Sequence, residues 1–291
     1  MLTWLSLAIL AYFMGAAAFV IDKYLLALPI PKPFSYAFWV AMLSTPVLLL
    51  IPLFNIYLPG TFYFAVAFAS GAAFFGGIIL LYKSIQSSDV SVASTQVGAT
   101  TAIASYALSL LILKDSLPLN SAVAFVLLVG GILLLGRAGK GIMLKAVAAG
   151  ILIGFSLVLM KWSFIHSDFI NGVFWTRIGF IGSAALALLS GKNRKEAFSS
   201  AKDTTGSSKL IFVVNKLVAA SAFVLLYYTI LLGNVTIINS LLGFQFLFIF
   251  LIALVMHKRL PGIKENLERK VITAKLLGIG MIIAGFLSLI T

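Results

Sequence analysis

The 291-residue sequence contains no cysteine, which excludes disulfides and thiolate chemistry. Histidine is nearly absent too: His166 and His257 stand 91 residues apart. Neither H-E-x-x-H nor G-x-S-x-G occurs, so the chain is expected to have no catalytic residues, no metal centre and no cofactor, and not to be an enzyme. Charge is scarce. Only 10% of residues are charged, against roughly 25% in soluble domains, and that excludes a soluble globular protein. Acids are the rarer sign, eight against 21 lysines and arginines. None is expected deep in an apolar run: Asp89 and Asp115 fall at turns, while Asp22 beside Lys23 and Asp168 after His166 read as solvated. Proton-driven export of cationic drugs needs a membrane carboxylate, so that mechanism is not expected. A passive facilitator or an anion exchanger fits better.

What the chain has instead is hydrophobicity, at 62% of residues. A spanning helix takes about 20 mostly apolar residues, because lipid gives backbone polar groups no partner. Ten such runs are expected, near 2–21, 34–54, 61–86, 91–113, 117–136, 145–164, 170–190, 209–232, 235–256 and 272–290. Pro29, Pro31, Pro33, Pro59-Gly60, Pro118 and Pro261-Gly262 punctuate them. The longest polar connections, 191–208 and 257–270, are too small for a soluble domain. No cleavable leader is expected, since Met1 lacks a basic n-region. The net charge of +13 sits mainly between the apolar runs, which suits an anionic membrane surface and not nucleic acid.

The chain also repeats itself. Leu80–Val92 reads L-L-Y-K-S-I-Q-S-S-D-V-S-V, and Leu225–Ile237 reads L-L-Y-Y-T-I-L-L-G-N-V-T-I, an offset of 145. Phe38-Trp39 with Phe174-Trp175, and Leu117-Pro118 with Leu260-Pro261, support the same halving. A period this long means a duplicated domain. The reading is an all-α membrane protein of two units, 1–140 and 141–291, each a five-helix repeat. An odd number of helices inverts the second repeat relative to the first, a design common in secondary transporters. Seventeen basic residues lie on the side of the 1–2 connection and only Lys114 and Lys161 on the side of the termini, which places both termini outside.

An ionisable group in the bilayer costs about 2.5–3.5 kcal/mol on insertion scales, so each needs a reason. Lys216 and Arg177 lie well inside their runs and are expected to line a cavity. Lys83 and Lys161 are further candidates, with snorkelling to the interface the simpler reading for both. With no acid to compensate them, these cations would attract an anion, a carboxylate or a phosphate. Tyr82, Tyr227, Gln96, Asn239 and Gln245 fall on corresponding helices of the two halves and complete the expected substrate-binding set.

The segments Tyr82–Ser94 and Tyr227–Ser240, with the endings L-K-D-S-L and H-K-R-L-P followed by V-G-G-I-L-L-L and I-A-G-F-L-S-L, resemble the drug/metabolite transporter superfamily, EamA type. The likeness covers nearly the whole chain and departs from the family pattern in places. Asp115 and Lys258 stand where a Glu is usual, and Gly98 and Gly243 stand where a helix-breaking Pro is often found. The family usually keeps its termini inside. The resemblance implies a central cavity lined by spans 1, 3, 4, 6, 8 and 9, alternating access and a small metabolite as substrate. The expected function is therefore secondary transport of a small anionic or zwitterionic metabolite. The alternative is a flippase for a lipid-linked anionic headgroup. The expected partners are that small molecule and the lipid bilayer, with no nucleic acid. The chain is expected as a monomer or homodimer in the cytoplasmic membrane of a prokaryote.

Overall fold

Apolar runs of this length become helices because only a helix satisfies its own backbone within lipid. The computed structural model describes residues 2–27, 30, 32–87, 90–115, 119–136, 144–256 and 269–290. Among them there is no strand. The first half runs α1 (Leu2–Ala27), α2 (Pro33–Met42), a 3-10 stretch (Thr45–Leu49), α3 (Leu50–Leu53), α4 (Thr61–Ser87), α5 (Val90–Leu108) with a π-helical turn (Ser109–Leu113), and α6 (Leu119–Gly136). The second half runs α7 (Leu144–Ile165), α8 (Phe169–Ala187), α9 (Gly191–Asp203), α10 (Gly206–Leu232), α11 (Val235–Ser240), α12 (Leu242–Met256) and α13 (Arg269–Ile290). Seven segments, Trp4–Ala27, Pro33–Leu53, Thr61–Ser87, Ala93–Leu113, Leu144–Ile165, Phe169–Ala187 and Gly206–Leu232, are long and apolar enough to cross a membrane. Shorter apolar stretches occupy Ser121–Leu134, Leu242–Ile252 and Ile272–Gly285. The protein is an all-helical, multi-pass integral membrane protein.

Three elements differ from the sequence expectation. The first helix continues to Ala27 rather than ending near residue 21, so Asp22 lies within it. The polar connection after α8 is itself a helix, α9, built of helix-favouring Lys, Arg, Glu and Ala. It docks on α2: Ser35 Oγ and Trp39 Nε1 donate to the Ala197 carbonyl at 3.2 and 3.3 Å, and Lys32 Nζ donates to Ser199 Oγ at 3.0 Å. The ninth run breaks at Leu241 into α11 and α12. A break exposes backbone carbonyls inside the fold. Tyr12 Oη meets one of them, donating to Ile238 O at 2.6 Å.

Contacts repeat between the halves. Helices α4 and α10 are each 27 residues long and begin 145 residues apart. Each packs against the first helix of the other half, α10 on α1 and α4 on α7. On one seam Asn215 Nδ2 donates to the Ala18 carbonyl at 3.1 Å. On the other, Ser70 Oγ, 145 residues before Asn215, donates at 2.8 Å to the carbonyl of Ser156, 138 residues after Ala18. Small residues make close approach possible. A Cβ added to Gly71 would fall on the Phe180 backbone amide, and one added to Gly179 would meet the Phe68 backbone at 2.6 Å. Gly71 thus lies in a helix seam.

Candidate functional site

Helix α10 carries several candidate residues on one face. Phe212, Lys216, Phe223 and Tyr227 are spaced four, seven and four residues apart, which stacks them on a 3.6-residue period. The opposite face is apolar and turned outward, with Leu210, Val214 and Leu217 at 65, 52 and 64% exposure. Lys216, at 7%, points inward. Its depth is set by packing and not by snorkelling.

The ammonium of Lys216 is held by Asp22. Nζ lies 2.5 Å from Asp22 Oδ1 and 2.7 Å from Oδ2. Tyr36 Oη donates to the same Oδ1 at 2.6 Å, and Asn215 Nδ2 adds a further short bond. The Tyr36 ring lies 4.9 Å from the ammonium and packs edge-on against Tyr82, centroids 4.9 Å apart. This overturns two expectations: a carboxylate does lie deep in the fold, and Lys216 is compensated. The error has a physical cause. A carboxylate beside a lysine at a helix end is normally hydrated. Here α1 extends past it and turns Asp22 toward α10. One signal in the sequence pointed that way. Asp22 continues the stripe Ala8, Ala11, Gly15, Ala18, whose three- and four-residue steps mark the face by which α1 packs.

Arg177 behaves differently. It is half-buried on α8, and its guanidinium lies 5.8 Å from the Phe74 ring, 5.6 Å from Phe180, 5.6 Å from Phe223 and 5.1 Å from Tyr227. These rings come from α4, α8 and α10. One terminal nitrogen donates to Tyr227 Oη at 2.7 Å. Among the described residues no carboxylate lies against this guanidinium. It therefore presents a positive charge with most of its five donors uncommitted to acids, inside an aromatic wall.

The other expected residues divide. Tyr82 and Tyr227 are buried and join the Asp22 and Arg177 clusters respectively. Lys161 caps a helix: Nζ donates to the carbonyls of Ile230, Leu231 and Gly233 at 2.6, 3.1 and 3.1 Å, where the end of α10 leaves them without intrahelical partners. Lys23 does the same for α4, reaching Ile85 O at 3.5 Å, 145 residues before Ile230. Lys83 is exposed near the end of α4, as snorkelling requires. Gln96 is half-buried on α5, and Gln245 lies against Gly15 of α1. The side chain of Asn239 and the whole of Asp89 lie outside the described residues. Asp168 is exposed and caps α8 through the Asn171 amide at 2.9 Å.

No family model matches this sequence, and no curated protein does. A crystal structure of a protein superposes on it with a TM-score of 0.65, covering 97% of this chain and 94% of the other at 16% identity. At that identity the likeness shows the fold alone.

Proposed function

We propose that this protein is a secondary transporter for a small organic anion or zwitterion, working by alternating access between its halves. Arg177 carries the reading. A guanidinium within a membrane-spanning helix, walled by four aromatic rings and facing no acid among the described residues, is costly unless a bound anion uses it. Its planar fork suits a carboxylate, and the rings suit an apolar or unsaturated body beside that carboxylate. Lys216 is taken up by Asp22 and stands outside the proposed anion site.

The matched lengths of α4 and α10 and the paired seam contacts support reading the chain as ten spans in two inverted five-helix repeats. They also agree with the drug/metabolite transporter resemblance. The test is uptake of labelled malate, glutamate and phosphate into proteoliposomes, beside scrambling of a fluorescent anionic lipid. Saturable uptake of one soluble anion above protein-free vesicles supports the proposal. Lipid scrambling without soluble uptake replaces it by the flippase.

A further inference from the structure

The two seams between the halves share one contact and differ in one. Both have a polar side chain of the 27-residue helix donating to a carbonyl of the facing helix, Asn215 to Ala18 and Ser70 to Ser156. Among the described residues the ion pair exists on one seam only. Counting by the same offsets, Met160 stands where Asp22 would be, and Gly71 stands where Lys216 would be. Among the described residues no ion pair joins α4 to α7, so the pair is not what joins such helices. Burying two charges is expensive, and an apolar replacement of similar volume is often as stable or more so. The pair calls for a role beyond packing.

The cluster is also uneven. Asp22 takes bonds from Lys216, Tyr36 and Asn215, while Asn215 Oδ1, at a residue 1% exposed, has no partner. Asn215 and Lys216 both donate to Asp22 Oδ1, so an amide whose own oxygen is unpartnered shares the carboxylate with the ammonium. We infer that Asp22 is a proton-binding site that couples proton movement to transport by making and breaking the α1–α10 seam. This inference rests on the transporter reading. A proton taken from water forms an O–H bond on the Asp22 carboxylate; the Lys216 ammonium keeps its proton and loses its counter-charge. The charged link between α1 and α10 is then gone, leaving the neutral Asn215–Ala18 contact. The groups facing Asp22 are few. Helix α10 brings Lys216, α2 brings Tyr36, α4 brings Tyr82 with exposed Lys83 beyond it, and α1 itself brings Lys23. Helix α12, also packed on α1, has no titratable side chain in its sequence. Asp22 is thus the acid at which the seam responds to protons.

Two measurements decide it. In proteoliposomes holding a trapped pH dye, wild type should move protons when malate, glutamate or phosphate crosses. The double variant Asp22→Asn with Lys216→Met removes both charges together, so neither is left buried alone. It should keep flux of that anion and lose the accompanying proton movement. Proton movement unchanged in the double variant, or anion flux in wild type without protons, overturns the inference and leaves the transporter reading standing. Failure of wild type to carry any of the three anions counts instead against that reading. Infrared titration of the purified protein needs no substrate: seven other acids contribute to the protonated carboxyl band of both proteins as pH falls, and the double variant should lack the one component that Asp22 adds. A spectrum identical in the two proteins overturns the inference on its own.

Discussion

Lys216 reaches both oxygens of Asp22, at 2.5 and 2.7 Å, from a helix 194 residues later in the chain. That contact turns an expected electropositive hollow into a neutral pair, and leaves Arg177 facing aromatic rings and, among the described residues, no acid. Removing one partner of a buried pair costs about 3–5 kcal/mol, whereas removing both with apolar replacement is close to neutral. Asp22→Asn and Lys216→Met should therefore each lower the thermal midpoint in detergent, and the double variant should recover most of the loss. Additive losses would mean that the two charges do not act as a pair.

Arg177→Lys is expected to be a poor substitute. Lysine is a point charge without the planar fork, and it stacks less well on Phe74, Phe223 and Tyr227. Anion uptake should fall by about tenfold or more, the equivalent of one lost charge-assisted bond, with the thermal midpoint little changed. Equal uptake by the lysine variant would detach the fork from recognition.

Lys161→Met should loosen the end of α10. The three carbonyls it satisfies lose a cationic partner near the negative end of the helix dipole, a change of about 1 kcal/mol. Faster amide exchange confined to residues near 229–234 is the expected signature, with Lys161→Arg showing much less of it. Protection unchanged in Lys161→Met would remove the capping role.

Gly71→Val tests the helix seam. The added side chain would collide with backbone of α8, which has no rotamer by which to yield, and overpacking of this kind costs about 1–3 kcal/mol or more. Reduced yield of monodisperse protein is expected, and Gly60→Val, where nothing lies near, should be silent.

The absence of cysteine makes topology directly measurable. Lys195→Cys on α9 and Leu58→Cys before α4, the latter position 89% exposed, should label from opposite sides of the membrane. The bias of basic residues places Lys195 inside, so only Leu58→Cys should react in intact cells. The reverse pattern would put the termini inside.

Helix positions were legible because hydropathy has a length scale: the apolar runs at 61–86 and 235–256 coincide closely with α4 and with α11–α12. The offset of 145 between Leu80 and Leu225 also separates Ser70 from Asn215, each of which donates to a carbonyl of a facing helix. Arg177 and Lys216 stood out as charges too deep to hydrate. Asp22 did not, since a carboxylate five residues from a helix end is ordinary until a partner from α10 is known to face it. Long-range pairing of this kind leaves only an indirect trace, the small-residue stripe of α1. Tyr36 left none, because an aromatic residue in an apolar run is expected anywhere in a membrane helix.

The most direct test of the account compares an anion with its uncharged analogue, succinate against succinamide, in proteoliposomes of wild type and Arg177→Gln. Saturable uptake of succinate by wild type, at least tenfold above succinamide and lost in Arg177→Gln, is the predicted result. Equal uptake of the two by wild type, or the same preference for succinate in Arg177→Gln, would contradict it.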